Sequence, residues 1–328
     1  MSLKKSLAIG KSVLTARLLG VRRPVVVKFK ITNRCNGVCR YCLGKKNSVE
    51  LSTSKVLDLV GQMAEAGTHK IGFFGGEALL REDMGEILDL CRQKSMYTTI
   101  ITNGYLVPKK LNVVAKVDCL FISFDGPKRI HDLHRGAGSY DKVLAAIHAA
   151  KDCCKVVAHT TITKYNMNHI KEIAELARDA GIPTTYCPVY CNQSLLPSNQ
   201  ELKRIIMDLQ KLKEEGYPVL TSHTILSYWL QWEDFAMPYS LIKRKQNPDC
   251  YAGKLFCEIN SDGSIAPCDW SFRGSQSNVI KQGFRNAFLS LKSPACKACV
   301  RPWTAEYNFM FSLNPRTIWN YMKFVVKT

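Results

Sequence analysis

The sequence predicts an α/β protein built on a parallel sheet. Three observations carry that reading. Strand-like and helix-like stretches alternate six times between residues 25 and 215. A loop with three cysteines, Cys35, Cys39 and Cys42, stands directly behind the first strand-like stretch. From about residue 217 the alternation stops, and aromatics and further cysteines crowd the chain. Alternating strands and helices imply parallel strands, because each crossover returns to the same edge. Six such units fit an open doubly wound sheet or an incomplete barrel, and in both ligands gather at the C-terminal strand ends.

The elements read in order as follows. Residues 2–19 form a basic helix in which Leu3, Leu7, Leu14 and Leu18 share a narrow arc. Such an arc packs on the domain or lies on a membrane surface, and packing is the commoner outcome. Strand 25–31 leads into the cysteine loop, and helix 53–66 follows. Next come strand 70–74, helix 83–94, strand 97–102 and a helix near 107–115. Strand 119–124, helix 140–152, strand 156–162, helix 169–180, strand 184–189 and helix 199–215 complete the series. The expected units are residues 1–21, a basic amphipathic helix, then a core over 22–216 and a cysteine-rich extension over 217–328.

A chain of 328 residues is long enough for a sizeable core. It has no repeat, no apolar run of membrane-spanning length and no clear secretory signal. Fourteen cysteines in clusters point to metal rather than disulfides, and so to a reducing cytoplasm. The net charge of +19 predicts attraction to an anionic partner: nucleic acid, an acidic membrane surface or a phosphorylated substrate.

"CNGVCRYC" places three thiols within one short loop and offers no fourth nearby. Thiolates are soft ligands for zinc or Fe–S clusters. Three thiolates on a four-iron cubane leave one iron open, and an open metal position is a chemical site.

The spacing Cys35-x3-Cys39-x2-Cys42, with Tyr41 before the last cysteine, resembles the radical S-adenosylmethionine (SAM) superfamily. The resemblance extends to "GGE" at Gly75, Gly76 and Glu77, "TNG" with Asn103, "SFDG" with Ser123 and Asp125, and Arg135 in "HDLHRG". It implies a partial (βα)6 TIM-like barrel over about residues 22–215. It also implies a 4Fe–4S cluster on the three cysteines whose open iron is chelated by SAM. One electron then splits a carbon–sulfur bond, and the 5′-deoxyadenosyl radical takes hydrogen from substrate. In this reading Gly75 and Gly76 offer carbonyls to the SAM ammonium group, Glu77 adds charge, Asn103 belongs to a SAM-contacting turn, Ser123 and Asp125 face the ribose, and Arg135 pairs with the SAM carboxylate. Asp125 is equally suited to capping its own turn. His131 and His134 are not expected to share a helix face.

In the C-terminal part, Cys250, Cys257, Cys268, Cys296 and Cys299 form a second group. Asp262-Gly263 predicts a hairpin that brings its flanking cysteines together, and Cys296-x2-Cys299 completes four thiolates. The layout resembles SPASM and twitch extensions. No cysteine follows Cys299, which favours the twitch-like form with one auxiliary Fe–S cluster. The expected ligands are Cys250, Cys268, Cys296 and Cys299, with Cys257 as a replacement for Cys250 or a bystander. Cys91, Cys119, Cys153 and Cys154 read as structural thiols. Cys187 and Cys191 follow the sixth strand at the mouth and are weak candidates for giving hydrogen to a substrate radical.

The leading expectation is a radical SAM enzyme with an unidentified small-molecule, peptide or lipid substrate and an electron donor such as flavodoxin or ferredoxin. No cobalamin-binding domain is evident, and none that binds a leader peptide precedes Val25, which weighs against methylation and peptide maturation. Aromatics around Trp229 and Trp232 and in "IWNYMKFVVKT", with the basic helix, raise a variant in which the enzyme is peripheral to the inner membrane face and acts on a lipid or isoprenoid. The alternative from another class is a non-catalytic metal protein that binds nucleic acid, but no aromatic-basic ribonucleoprotein motif is present.

Overall fold

The computed structural model describes residues 3–42, 44, 49–242, 247–268 and 277–326. Helix α1 (Leu3–Leu18) precedes β1 (Val26–Thr32). The alternation then runs α2 (Thr53–Glu65), β2 (Lys70–Gly75), α3 (Met84–Gln93), β3 (Tyr97–Thr102), α4 (Leu111–Val114) and β4 (Cys119–Ser123). It continues with α5 (Lys128–Arg135), α6 (Ser139–Ala150), β5 (Lys155–Ile162), α7 (Ile170–Asp179), β6 (Thr184–Pro188) and α8 (Asn199–Glu214). Beyond lie α9 (His223–Leu230), β7 (Tyr239–Ser240), β8 (Phe256–Ile259), β9 (Ile265–Ala266), α10 (Val279–Gln282), α11 (Phe284–Leu289), β10 (Ala298–Cys299), α12 (Pro302–Phe311) and α13 (Pro315–Val326).

Strands β1 to β6 are parallel neighbours in chain order, which makes the partial barrel. β8 adds to the outer edge of β1, also in parallel, and β9 folds back antiparallel on β8. The hairpin read from Asp262-Gly263 is therefore present, and it extends the main sheet. Side chains along each strand alternate between two cores, as a period of two requires. Leu120 and Ile122 of β4 join the outer core under the helices, while Cys119 and Phe121 join an inner core. That inner core also takes Val26, Tyr97 and Val157, and is covered by Ile9, Val13 and Ala16 of α1 and Tyr307 and Phe311 of α12.

Three readings need correction. The region near 107–115 is a short 3-10 turn, Val107–Lys109, followed by α4, because Pro108 opens the turn and Lys110 leaves helical geometry between them. Helix α5 is an element the periodicity missed, because its buried face is Ile130, His131, His134 and Arg135 rather than aliphatic. His131 and His134 are three apart, so they share that face. In α1 the leucine arc does not pack: Leu7, Leu14 and Leu18 are exposed, and Ile9, Ser12, Val13 and Ala16 face inward. The inward seam is fixed by Lys5, which bonds Met96 O and Asp118, and by Ser12 against His69 Nε2.

The end of β2 lies hard against the start of the cysteine loop. Gly76 N donates to Thr32 O and Glu77 N to Arg34 O. A Cβ on Gly75 would stand 2.1 Å from Thr32 O, and one on Gly76 would stand 2.2 Å from Arg34 O. Both obstacles are backbone, so no side chain can swing away. Gly76→Ala is expected to destabilise the chain by about 1–3 kcal/mol and to loosen the cysteine loop. Urea unfolding, together with protease sensitivity near residue 35, checks it, and wild-type behaviour on both would contradict the close approach.

Candidate active site

The cysteine loop leaves the C-terminal end of β1, and its thiols are dressed with donors. Gly37 N points at Cys35 Sγ at 3.3 Å, Gly44 N at Cys42 Sγ at 3.4 Å, and Arg135 Nη1 at Cys39 Sγ at 3.6 Å. Sulfur that accepts from amides and a guanidinium is sulfur prepared to carry negative charge. Burial pushes the Cys39 thiol up, Arg135 pulls it down, and Asp125, Cys42 and Cys35 push it further up. Bringing a metal to the loop resolves that conflict, because the charge then belongs to a metal–thiolate bond.

The loop is held by a buried polar scaffold. Arg135 Nε donates to Asp125 Oδ2 at 2.6 Å, and its Nη2 reaches the Tyr41 hydroxyl. Tyr41 itself donates to Asp125 Oδ2 at 3.0 Å, and Thr161 N donates to Asp125 Oδ1 at 2.9 Å. Asp125 is fully buried; burial alone would raise its pKa, but Arg135, His131 and His134 hold it below the usual carboxylate range. Glu77 is equally buried and accepts from Leu79 N, Thr102 Oγ1 and Asn103 N. Burial outweighs those bonds and raises its pKa. Asn103 Nδ2 donates to Asn36 Oδ1 at 2.7 Å inside the cysteine loop.

This geometry changes the roles implied for several residues. Glu77 is turned inward to hold the Thr102–Gly104 turn, since burial makes its carboxylate take every nearby donor. Asp125 is committed to Arg135, Tyr41 and Thr161 rather than turned to a ribose. Arg135 is a strut between β4 and the cysteine loop. Gly75 and Gly76 serve the close approach of two backbones. Ser123 keeps a place on the inner face, two and four residues from the inward Phe121 and Cys119. Sequence reading missed Tyr41 as a polar anchor between Asp125 and Arg135.

The second cysteine group splits cleanly. Cys250, Cys268, Cys296 and Cys299 line one small cavity with Pro238, Tyr239, Ala252, Arg301 and Thr304. The Ala252 and Arg301 amides bond the thiols of Cys250 and Cys299, two residues back in each case. That is the arrangement seen at Cys35 and Cys42. Burial pushes the Cys296 thiol up to about 11, with Cys250 and Cys268 adding to it. Cys257 is elsewhere: it sits on the outward face of β8 in the helix-covered core and is fully buried. Among the described residues no three such side chains close on a single point as one metal ion would require. The four thiols ring a space instead, and the donor chemistry at both groups suits cluster ligation.

The comparisons with known proteins agree with the loop. The sequence model of the Radical SAM superfamily matches residues 29–177. Residues 29–177 form a radical SAM domain. Among its relatives, Fe-coproporphyrin III synthase of Methanosarcina barkeri is 33% identical over 218 residues, covering 60% of this chain and 54% of that protein. Mycofactocin maturase MftC of Mycobacterium ulcerans is 28% identical over 313 residues, covering 85% of this chain and 81% of that one. The fold matches Streptococcus suis SuiB, solved with its precursor peptide SuiA, with a TM-score of 0.68 at 16% identity over 87% of this chain and 69% of that one. A 4Fe–4S cluster and SAM are therefore cofactors of this radical SAM enzyme.

The radical SAM barrel encloses a cavity of about 110 Å³. Phe121, His159 and Thr185 line it from the strands, and Trp303, Tyr307 and Tyr321 from α12 and α13. Lys70 enters from β2 with its Nζ 5.4 Å from the ring centres of Tyr97 and Tyr307. The alternating Val-Lys-Phe-Lys of β1 was the available signal that lysines line the interior: Lys28 bonds Glu258 of β8 at 2.9 Å. Cys187 is at the mouth, its thiol pushed up to about 12 by burial, and Cys191 Sγ donates to Tyr41 O at 2.7 Å. Both sulfurs carry hydrogen toward carbonyls, Cys187 toward Pro188 O at 3.4 Å, unlike the accepting thiols of Cys35, Cys42, Cys250 and Cys299.

Two predictions follow from these charges. Asp125→Asn leaves the buried Arg135 guanidinium without its anion and is expected to cost about 3–5 kcal/mol of stability, read by denaturant unfolding. Glu306 borders the cavity, accepts from Ser222 N and Oγ, and is pushed up to about 7 by burial. Its folded pKa lies above its ordinary 4.5, so its contribution is full below pH 4.5 and is lost as pH rises through about 7. Glu306→Gln is expected to remove about 3 kcal/mol of that pH dependence. Unfolding midpoints measured across the window check it; an unchanged slope would refute the assignment.

Proposed function

We propose that this chain takes hydrogen from an organic substrate held at the C-terminal mouth of the barrel, using SAM at the three-thiol loop and one auxiliary Fe–S cluster in the C-terminal extension. The observation that carries the reading is the shared dressing of the two cysteine groups, each with amides aimed at sulfur from two residues on. Cys35, Cys39 and Cys42 hold the SAM-binding cluster. Cys250, Cys268, Cys296 and Cys299 hold the auxiliary one. When bound, the first cluster supplies the electron that splits SAM and so the 5′-deoxyadenosyl radical.

This chain's own residues do the rest. Backbone groups of Gly75 and Gly76 and the Ser123 hydroxyl face SAM. Glu77, Asn103, Asp125 and Arg135 keep the loop in place around it. The working units are the helix 1–21, the core 22–216 and the extension 217–328, which lends β8 to the core sheet. Two relatives carry the names Fe-coproporphyrin III synthase and mycofactocin maturase, and an organic substrate is in keeping with both. Cys191, hydrogen-bonded to the residue before Cys42, is the thiol best set to return hydrogen at the mouth. An acidic flavodoxin or ferredoxin as electron donor fits the net charge of +19.

Anaerobic purification followed by iron and sulfide analysis, with reduction in the presence of SAM, tests the reading. The Cys35→Ala/Cys39→Ala/Cys42→Ala variant is expected to make no 5′-deoxyadenosine yet keep the auxiliary iron. Cys296→Ala/Cys299→Ala is expected to lose the auxiliary iron alone, and Cys257→Ser to keep both. Reductive SAM cleavage by the first variant, or loss of iron in the third, overturns the assignment.

A further inference from the structure

We propose that α1 docks this enzyme on an anionic lipid surface, with its leucine arc inserted at the interface. The carrying observation is that α1 packs by the wrong face for an ordinary amphipathic helix. Its small and β-branched residues, Ile9, Val13 and Ala16, cover the inner core. Its leucines point away, Leu7 at 63% and Leu18 at 76% exposure, with Leu14 between them. At 100° per residue these three side chains fall within about 40° of one another. Leu19 and Val21 continue the exposed apolar surface past the helix end. Large aliphatic side chains in register on a solvent face are a surface waiting for cover.

Charge decides what covers it. No Asp or Glu stands in residues 1–24, whose charged residues, Lys4, Lys5, Lys11, Arg17, Arg22 and Arg23, are all cations. On α1 itself, Lys11 and Arg17 are exposed and flank the leucine arc, one on each side. A strip of leucines bordered by cations, with no anion to repel, is complementary to anionic headgroups over acyl chains. A second copy of the chain would set this basic segment against itself. Among the described residues no helix is long and apolar enough to cross a membrane, so the contact is interfacial.

The placement fits a peripheral attachment. Lys5 and Ser12 tie α1 to Met96, Asp118 and His69, which lie just before β3, β4 and β2. The helix therefore covers the N-terminal end of the strands, opposite the cysteine loop, and the mouth stays open. α13 covers the same end through Asn320 on Leu220 O and presents an exposed Trp319 with Lys323 5.5 Å from its ring centre. Aromatic and basic side chains of this kind anchor at the headgroup level.

The reconstituted full chain, sedimented with vesicles of phosphatidylcholine alone or with added phosphatidylglycerol, tests this. Binding is expected only with phosphatidylglycerol and is expected to weaken as salt rises. Leu7→Ser/Leu14→Ser/Leu18→Ser is expected to lose binding by about tenfold or more, with unchanged circular dichroism and 5′-deoxyadenosine formation. Leu18→Glu alone gives the same reading if the triple variant folds poorly. Wild-type protein left in the supernatant overturns the proposal. So does a leucine variant that binds as tightly as wild type, which would make the attraction purely electrostatic. A concentration-dependent dimer without lipid, dissolved by the same leucine changes, assigns the surface to a second copy and also overturns it. SAM cleavage is read separately, so failure here leaves the active-site reading intact.

Discussion

The buried pair of Arg135 and Asp125 is the constraint on which the mouth of the barrel depends. Asp125 is at the end of β4, and Arg135 is ten residues on in α5. Through Nε the arginine meets the carboxylate, and through its other nitrogens it reaches Tyr41 and Cys39 of a loop almost a hundred residues earlier. A cation and an anion withdrawn from water are tolerable only when each satisfies the other and the spare lone pairs are filled. Tyr41 and Thr161 fill them here. The loop that carries the thiols is thereby fixed to the strand ends before any metal arrives. Electrostatics are strong in such a dry setting, so the guanidinium also tempers the thiol of Cys39.

This arrangement explains what sequence could and could not reveal. The six strands and most helices were legible because their signal is local: alternation of apolar residues in strands and apolar periodicity in helices. The cysteine spacing was legible for the same reason. The roles of Glu77, Asp125 and Arg135 were not. Each is a charged residue near a rim, and only the three-dimensional packing shows that its charge is spent inside. Helix α5 escaped notice because its buried face is polar, which hydrophobic periodicity does not register. The pairing of β8 with β1 was invisible too, since more than two hundred residues separate them and four buried residues leave little pattern.

Cysteine usage shows how position assigns chemistry. No disulfide joins any of the fourteen cysteines. Cys35, Cys42, Cys250 and Cys299 accept hydrogen bonds from the backbone two residues on. Cys187 and Cys191 donate theirs to carbonyls at the mouth. Cys91, Cys119 and Cys257 are buried among apolar neighbours, where burial raises their pKa and keeps them protonated. Cys257 was the residue whose role the spacing left open. One step of strand register decides it, because in β8 the neighbouring Glu258 turns inward to Lys28 and Cys257 must turn out.

The same alternation organises the two ends of the barrel. Inward positions collect lysine, threonine and aromatic side chains around a cavity, and the outward ones collect aliphatics under the helices. The N-terminal end of that interior needs a lid, or its apolar side chains would face water. Helix α1 supplies it with Ile9, Val13 and Ala16, residues small enough to lie flat on the strand ends. With α12 and α13 covering the rest of that end, α1 needs only this modest face, so the bulkier leucines are left for the other side. A helix selected merely to plug the barrel would carry polar residues there, since exposed leucine adds nothing to folding and promotes association. The leucines of α1 therefore need a reason outside the fold, and a basic segment with no anions narrows that reason to a negatively charged apolar boundary.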